Sequence, residues 1–390
     1  MKTRIMSLIL ASFIAQSMLA QLTSLGLIEE SSIANAESDG IKAGHLQFIP
    51  QLSFVGSRLY VATPNGLFQY EHGEWEKPSL TSDLVVEFEV RGDTLLLLTR
   101  NELIFSMDGG KTAKTIYSTE TDGGGESYVL EGMAVHPHNA NHIFISTGAN
   151  LLCTYNAGDE WNVIDKVHLT KLYFNPFNPN NVIGFYNNKL LSGSGIYFSR
   201  DGGLQWNSSS GYIHQGGNIS ELYDIAFHPT NHQSSIACGI GVYTQSDDSG
   251  ATWTSICHPT TKEPIVDLTN IVYDPRNSDV IYGADMRTCN DGTTSILRSI
   301  DGGKSWVTFF SAKVAEKAHV LSLSMRDNVL ALYTYGNGIY LLDVDAVDTS
   351  IPTIENETSL TPYYDLQGRP VANPTRGIYI KDGKKVIIGQ

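Results

Sequence analysis

Positive charge is scarce in this chain. Against 41 Asp and Glu stand 26 Lys and Arg, a formal net charge of −15 over 390 residues. Two of the bases, Lys2 and Arg4, stand in an N-terminal segment without acids, so the remainder carries −17. A surface of that sign excludes a nucleic-acid phosphate backbone or an anionic membrane as the main partner. Cysteine is sparse as well. Cys153, Cys238, Cys257 and Cys289 form no CxxC and no Cys/His cluster, and Cys257-His258 is an isolated neighbour pair, so no metal site is expected. A disulfide involving Cys238, Cys257 or Cys289 is one reading of the four thiols, and buried free thiols are the other. A glycine-rich phosphate loop opening a helix is absent, because Asp122-Gly123-Gly124-Gly125 leads through Glu126 into a strand. Gly193-Ser194-Gly195 lacks the outer spacing of a nucleophile elbow. No cofactor is implied.

Long apolar runs are missing after the first 20 residues, which excludes a helical membrane span of about 20 residues. Those first residues have a different character. Lys2 and Arg4 precede the apolar run 5–13, and small residues follow up to Ala20, the layout of a secretory leader. Cleavage is expected after Ala20, and Ala34-Asn35-Ala36 offers a second small-x-small site. No cysteine lies near either, so no lipid anchor is expected, and the mature protein reads as soluble, monomeric and exported.

What the chain has in abundance is a turn. Ser299-Ile300-Asp301-Gly302-Gly303-Lys304-Ser305-Trp306 has copies at Ser199 to Trp206 and at Ser246 to Trp253. A copy at Thr154 to Trp161 carries Asn156 for Asp, and one starting at Ser106 keeps Asp108 but ends without tryptophan. All fit SxDxGxxW with at most two deviations, at steps of 48, 45, 47 and 53 residues, the spacing of propeller blades. Glycine takes positive φ without steric cost, Asp or Asn accepts bonds from its own turn, and tryptophan brings apolar area to bury. The pattern folds and packs. It does no chemistry.

These residues resemble the Asp-box, or BNR-type, β-propellers, a group that includes sialidases, sortilin-like receptors, xyloglucan hydrolases and photosystem assembly factors. The resemblance implies an all-β propeller over residues 45–345, and five turn-bearing blades with one turnless blade at either end make it seven-bladed, with six or eight blades as the alternatives. It also implies a structural role on the blade periphery for Asp108, Asn156, Asp201, Trp206, Asp248, Trp253, Asp301 and Trp306. Between the proposed leader 1–20 and the propeller, residues 21–44 read as a flexible lead-in, and a strand near Leu46 to Ile49 is expected to complete the last blade. A second repeat supports the blade count: His136-Pro137, Asn175-Pro176, His228-Pro229 and Asp274-Pro275 each follow a short strand. Because Asn175 and Asp274 stand where His136 and His228 do, these are turn residues and not ligands.

Residues 346–362 read as a linker, and 363–390 as a short β tail. Its Tyr364-Asp365-Leu366-Gln367-Gly368-Arg369, Gly377-Ile378-Tyr379 and Gly383-Lys384-Lys385-Val386 elements resemble the C-terminal sorting domain of Bacteroidetes type IX secretion cargo. That resemblance implies a partnership with secretion machinery and release to the surface or medium. A charged β-hairpin with two glycine turns is the plainer alternative.

Ligands of propellers are expected on the face opposite the SxDxGxxW turns, where loops converge on the channel. Candidate ligand residues there are Glu131, Lys171, Tyr212, His214, Asp224 and Arg287, with Asn270 at the corresponding strand position. A glycosidase needs two carboxylates about 5 to 10 Å apart. Asp224, Asp267 and Asp285 are the candidates, although no motif pins any pair. The sialidase pattern fails, since its Arg-Ile-Pro segment is absent, and Arg200 and Arg298 stand beside the repeated turns. The sequence therefore points to a binding or scaffold propeller with a glycan or protein ligand, and to a glycoside hydrolase as the alternative.

Overall fold

Leucines 95 to 98 form an unbroken apolar run in which no residue exceeds 2% exposure. Alternate side chains of a strand point to opposite faces, so such a run requires cover on both sides. Leu95 and Leu97 pack with Tyr60 and Ala62 of the preceding sheet, whereas Leu96 and Leu98 pack with Met133 and Ile143 of the following one. Equivalent clusters join further neighbouring sheets and also join the last sheet to the first, through Leu52, Val61, Leu321 and Ile339. Sheets that each bury both faces against neighbours, and whose last meets the first, form a seven-bladed β-propeller.

The structure is a computed structural model that describes residues 22–25 and 51–350 apart from 79, 82, 120–128, 189–192, 212–220, 259–263, 287–292, 314–319 and 335–337. It also describes four strands in 363–388. Each blade is a four-stranded antiparallel sheet. The innermost strands are Leu52–Val55, Val85–Arg91, Leu130–Val135, Lys171–Phe174, Glu221–Phe227, Leu268–Asp274 and Val320–Arg326, in blades one to seven. The strand that completes blade seven is Leu22–Ser24, paired antiparallel with Gly338–Asp343. It falls inside the stretch read as a flexible lead-in, and residues 46–49, expected in that place, lie outside the described residues.

The five repeated turns join the third and fourth strands of blades two to six and share one bonding scheme. In blade six, Ser299 Oγ donates to Asp301 Oδ1 at 2.8 Å and accepts the Gly303 N–H at 2.8 Å, while Asp301 Oδ1 also accepts the Ser305 N–H at 2.9 Å. Asn156 performs the same task in blade three, accepting from Thr154 Oγ1 and from the Glu160 N–H. Both glycine positions take positive φ, but only the second is crowded. A Cβ on Gly203 would stand 2.5 Å from Phe144 of the preceding blade, one on Gly250 would stand 2.8 Å from Ile183, and one on Gly202 meets nothing nearer than 4.0 Å. Hence Ala157 and Ser249 replace the first glycine, at φ 54 and 62, whereas the second is glycine in all five turns. Each turn also bonds the turn between its blade's first two strands, as Gly202 N does to Asn180 O at 2.9 Å, so both turn types share one face.

The x-Pro turns repeat one device with different atoms. Asn175 Oδ1 accepts the Phe177 N–H at 2.9 Å, Asp274 Oδ1 accepts the Arg276 N–H at 2.8 Å, and His228 Nδ1 accepts the Thr230 N–H at 3.2 Å. The histidines are turn acceptors, as the sequence implied.

Residues 345–390 form a separate unit. The helix Val344–Ser350 takes up the first residues of the stretch read as a linker. The tail is a four-stranded antiparallel sheet in the order Pro370–Val371, Tyr363–Tyr364, Gly377–Lys381, Lys384–Ile388. Among the described residues no helix is long and apolar enough to cross a membrane.

Candidate functional site

Five of the seven innermost strands slip register near their start, between Val85 and Glu87, Leu130 and Gly132, Leu222 and Asp224, Leu268 and Ile271, and Val320 and Ser322. A bulge re-aims the side chain beside it. Glu87, Asp224 and Asn270 stand at such slips, and together with four side chains from other positions they stitch the ring together. Gln51 Oε1 accepts the Phe88 N–H at 2.7 Å, and Glu87 Oε2 accepts the Met133 N–H at 2.6 Å. Ser146 Oγ accepts from Leu169 N, and Asn187 both accepts from and donates to the Leu222 backbone. Asp224 Oδ2 accepts the Ile271 N–H at 3.1 Å, Asn270 Oδ1 the Leu323 N–H at 2.8 Å, and Ser324 Oγ the Phe54 N–H at 2.9 Å. At all seven boundaries a side chain of one blade accepts a backbone N–H from the next. Each such bond stabilises by about 1 kcal/mol, and losing one partner inside the barrel costs more.

The innermost strands enclose a cavity of about 490 Å³ to which every blade contributes. It runs from Lys171 and Thr269, near the strand starts, to Arg91, Pro137 and Pro176 at the face that carries the repeated turns. Aromatic and apolar walls, among them Phe88, Tyr173 and Phe227, surround Glu87, Asp224 and Lys171, with Glu89 and Arg91 toward the turn side.

Asp224 is half-buried between the innermost strands of blades four and six. Its Oδ1 accepts from Tyr173 Oη at 3.2 Å and Ile225 N at 2.9 Å, and its Oδ2 from Asn270 Nδ2 at 2.5 Å and Ile271 N at 3.1 Å. Four donors fill the roughly four acceptor sites of a carboxylate. Burial raises its pKa, opposed by Lys171 and by these donors. Glu87 is less committed: burial pushes it up to about 7, against the pull of Lys171, whose Nζ lies 3.7 Å from Oε1. That separation exceeds hydrogen-bond range, so the pair interacts through charge.

The other predicted residues disperse. Glu131 does not line the cavity; its Oε2 is 2.6 Å from His168 Nε2, a partner that raises the histidine's pKa. Asp267 Oδ1 accepts the Gly241 N–H at 2.9 Å. Asp285 is buried at the end of the second strand of blade six, opposite Leu268. Of the three carboxylates considered for hydrolysis, Asp224 alone lines the cavity. Tyr212, His214 and Arg287 lie outside the described residues. Cys153 and Cys238 are buried and form no disulfide, while Cys289 also lies outside the described residues. Among the described residues no group of three or more His, Cys, Asp or Glu side chains could hold a metal.

Glu87 and Arg91 were not anticipated. Counting back from the turn prolines found Lys171, Asp224 and Asn270, but blade two turns at Arg91-Gly92-Asp93 without a proline. The remaining signal was a charge inside an apolar strand, Val85-Val86-Glu87-Phe88. Arg91 caps the mouth on the turn side, pairing with Glu89 at 2.8 Å and donating to the carbonyls of Val135 and His136 in blade three.

No family model matches the chain, and no curated protein matches it. Solved structures do. YCF48 bound to D1 peptide superposes with a TM-score of 0.54 at 18% identity, covering 78% of this chain and 95% of that one. The GH74 xyloglucanase from Xanthomonas campestris gives 0.54 at 15% identity, over 75% of this chain and 51% of the enzyme. PorZ, a surface component of the type-IX secretion system of Porphyromonas gingivalis, gives 0.54 at 14% identity, over 77% of this chain and 47% of that one. The chain thus matches about half of each of the latter two and nearly all of the first. At such identities the likeness is one of fold: a β-propeller of the shape shared by these three.

Proposed function

We propose that this protein is an exported Asp-box-type propeller that binds a protein partner, at the face opposite the repeated turns. The observation that carries the proposal is the saturation of Asp224. The one carboxylate of the sequence-derived trio that lines the cavity spends both oxygens on Tyr173, Ile225, Asn270 and Ile271, which leaves no acceptor for a substrate hydroxyl or an attacking water. A solved single propeller of similar extent has a peptide bound, which supports a protein ligand over a glycan. At the binding face, Lys171 and the Glu131–His168 pair present charge beside the channel. The leader and the tail are the export signals, the tail engaging type IX-like secretion machinery.

A glycoside hydrolase is the second reading, favoured by Glu87, a carboxyl held near pKa 7 in a cavity as a general acid requires. Cross-linking with mass spectrometry on the exported protein, run beside glycan arrays and chromogenic glycosides, tests both. A stoichiometric protein partner lost on Lys171→Glu supports the first reading. Glycan binding without a protein partner corrects the ligand class, and turnover abolished by Glu87→Gln replaces the binding reading with the enzymatic one.

A further inference from the structure

We infer that Leu22–Leu25 belong to the mature protein as the clasp that closes its ring, so that the leader ends at Ala20 and not at Ala36. This rests on the export reading given above. Leu22, Thr23 and Ser24 pair with Leu342, Leu341 and Tyr340, the outer edge of blade seven. Leu25 continues the pairing, its N–H donating to Ile339 O at 2.8 Å. Its carbonyl turns to blade one and accepts the indole N–H of Trp75 at 2.8 Å. Its side chain packs on the cluster of Leu52, Leu59, Val61 and Ile339, which spans the seam between the last blade and the first. One short segment therefore bonds both sides of the boundary between the last blade and the first.

The sequence offers two cleavage positions, and the clasp lies between them. Hydrolysis of the Ala20–Gln21 amide by a leader peptidase adds water across that bond, leaves a carboxylate on Ala20 and an amine on Gln21, and retains the clasp. Hydrolysis of Ala36–Glu37 sends Leu22–Leu25 away with the leader. The Gly338–Asp343 strand then presents an unpaired row of N–H and C=O groups, an edge prone to pairing with other chains, and the Trp75 N–H loses its acceptor.

The test begins with mass spectrometry of the N-terminus of the full-length chain made in a host that exports it. A terminus at Gln21 is expected. A terminus at Glu37 overturns the inference while leaving export intact, and an uncut chain overturns export as well. Protein made to start at Glu37 is expected to unfold at lower urea than protein starting at Gln21, and to bind a synthetic peptide of residues 21–36 added in trans. Equal midpoints and no peptide binding count against the clasp. Should the shorter protein fail to fold, Trp75→Phe in the Gln21 form keeps the idea testable. Amide exchange at Leu25 is expected to quicken about tenfold on loss of that one bond, and unchanged exchange refutes the clasp.

Discussion

Asn270 Nδ2 donates to Asp224 Oδ2 at 2.5 Å while Asn270 Oδ1 accepts the Leu323 N–H at 2.8 Å. One amide thus ties blade five to blade six and blade six to blade seven. Asp224→Ala removes the acceptor of four donors, and a loss of about 3 kcal/mol in urea denaturation is expected. Asn270→Ala should cost a similar amount, and the double variant less than the sum, since the two residues share a bond. A full-strength hydrolase activity lost by Asp224→Asn without loss of stability would contradict the structural role.

Glu87 sets a pH dependence in the neutral range. Its pKa is raised to about 7 in the fold from an ordinary 4.5, so the folded state holds its proton more tightly than the unfolded chain. The associated stability is complete below about pH 4.5 and is lost as pH rises through 7, amounting to about 3 kcal/mol across that window. Glu87→Gln keeps an acceptor for the Met133 N–H and should flatten the slope of unfolding free energy between pH 5 and 8. A slope unchanged in the variant would refute the assignment.

His142 works in the opposite direction. It is 8% exposed, its ring lies 5.2 Å from His136 and 4.5 Å from Tyr155, and its Nε2 has no hydrogen-bond partner. Burial and the neighbouring His136 lower its pKa to about 4. The unfolded chain takes up this proton first, so stability falls as pH drops from about 6.5 and levels off below 4, a loss of about 3 kcal/mol. His142→Phe should remove that acid sensitivity without harming stability at pH 7, as acid denaturation curves would register.

The two glycines of one turn should respond differently to the same substitution. Gly203→Ala places a methyl 2.5 Å from Phe144 at φ +93, whereas Gly202→Ala meets only open space at φ +75. Backbone strain alone costs Gly202→Ala about 1 kcal/mol, and the clash raises Gly203→Ala to about 3 kcal/mol. Equal midpoints in thermal melts would show that the turns do not pack on the preceding blade.

The repeated turns were legible because their logic is local: Ser299, Asp301 and Gly303 bond one another within four residues, and each copy does the same. The closing strand was not, since Leu22-Thr23-Ser24 has no pattern of its own and is a strand only because residues 338–343 offer an edge. The candidate site was half legible. Counting from prolines located Asp224 and Lys171 on the channel, but the role of Asp224 is set by Tyr173, Asn270 and Ile271, about 50 positions away. Sequence spacing carries no record of such partners.

The clasp also imposes a timetable. Leu22–Ser24 and their partners in Gly338–Asp343 are separated by the whole of the ring, so every blade must be made between the two. At about 5 to 20 residues per second, a nascent chain keeps its opening segment waiting for roughly 15 to 60 s before a mate exists. Until then the growing blades can only stack as an unclosed spiral, so completing the circle waits on the last blade.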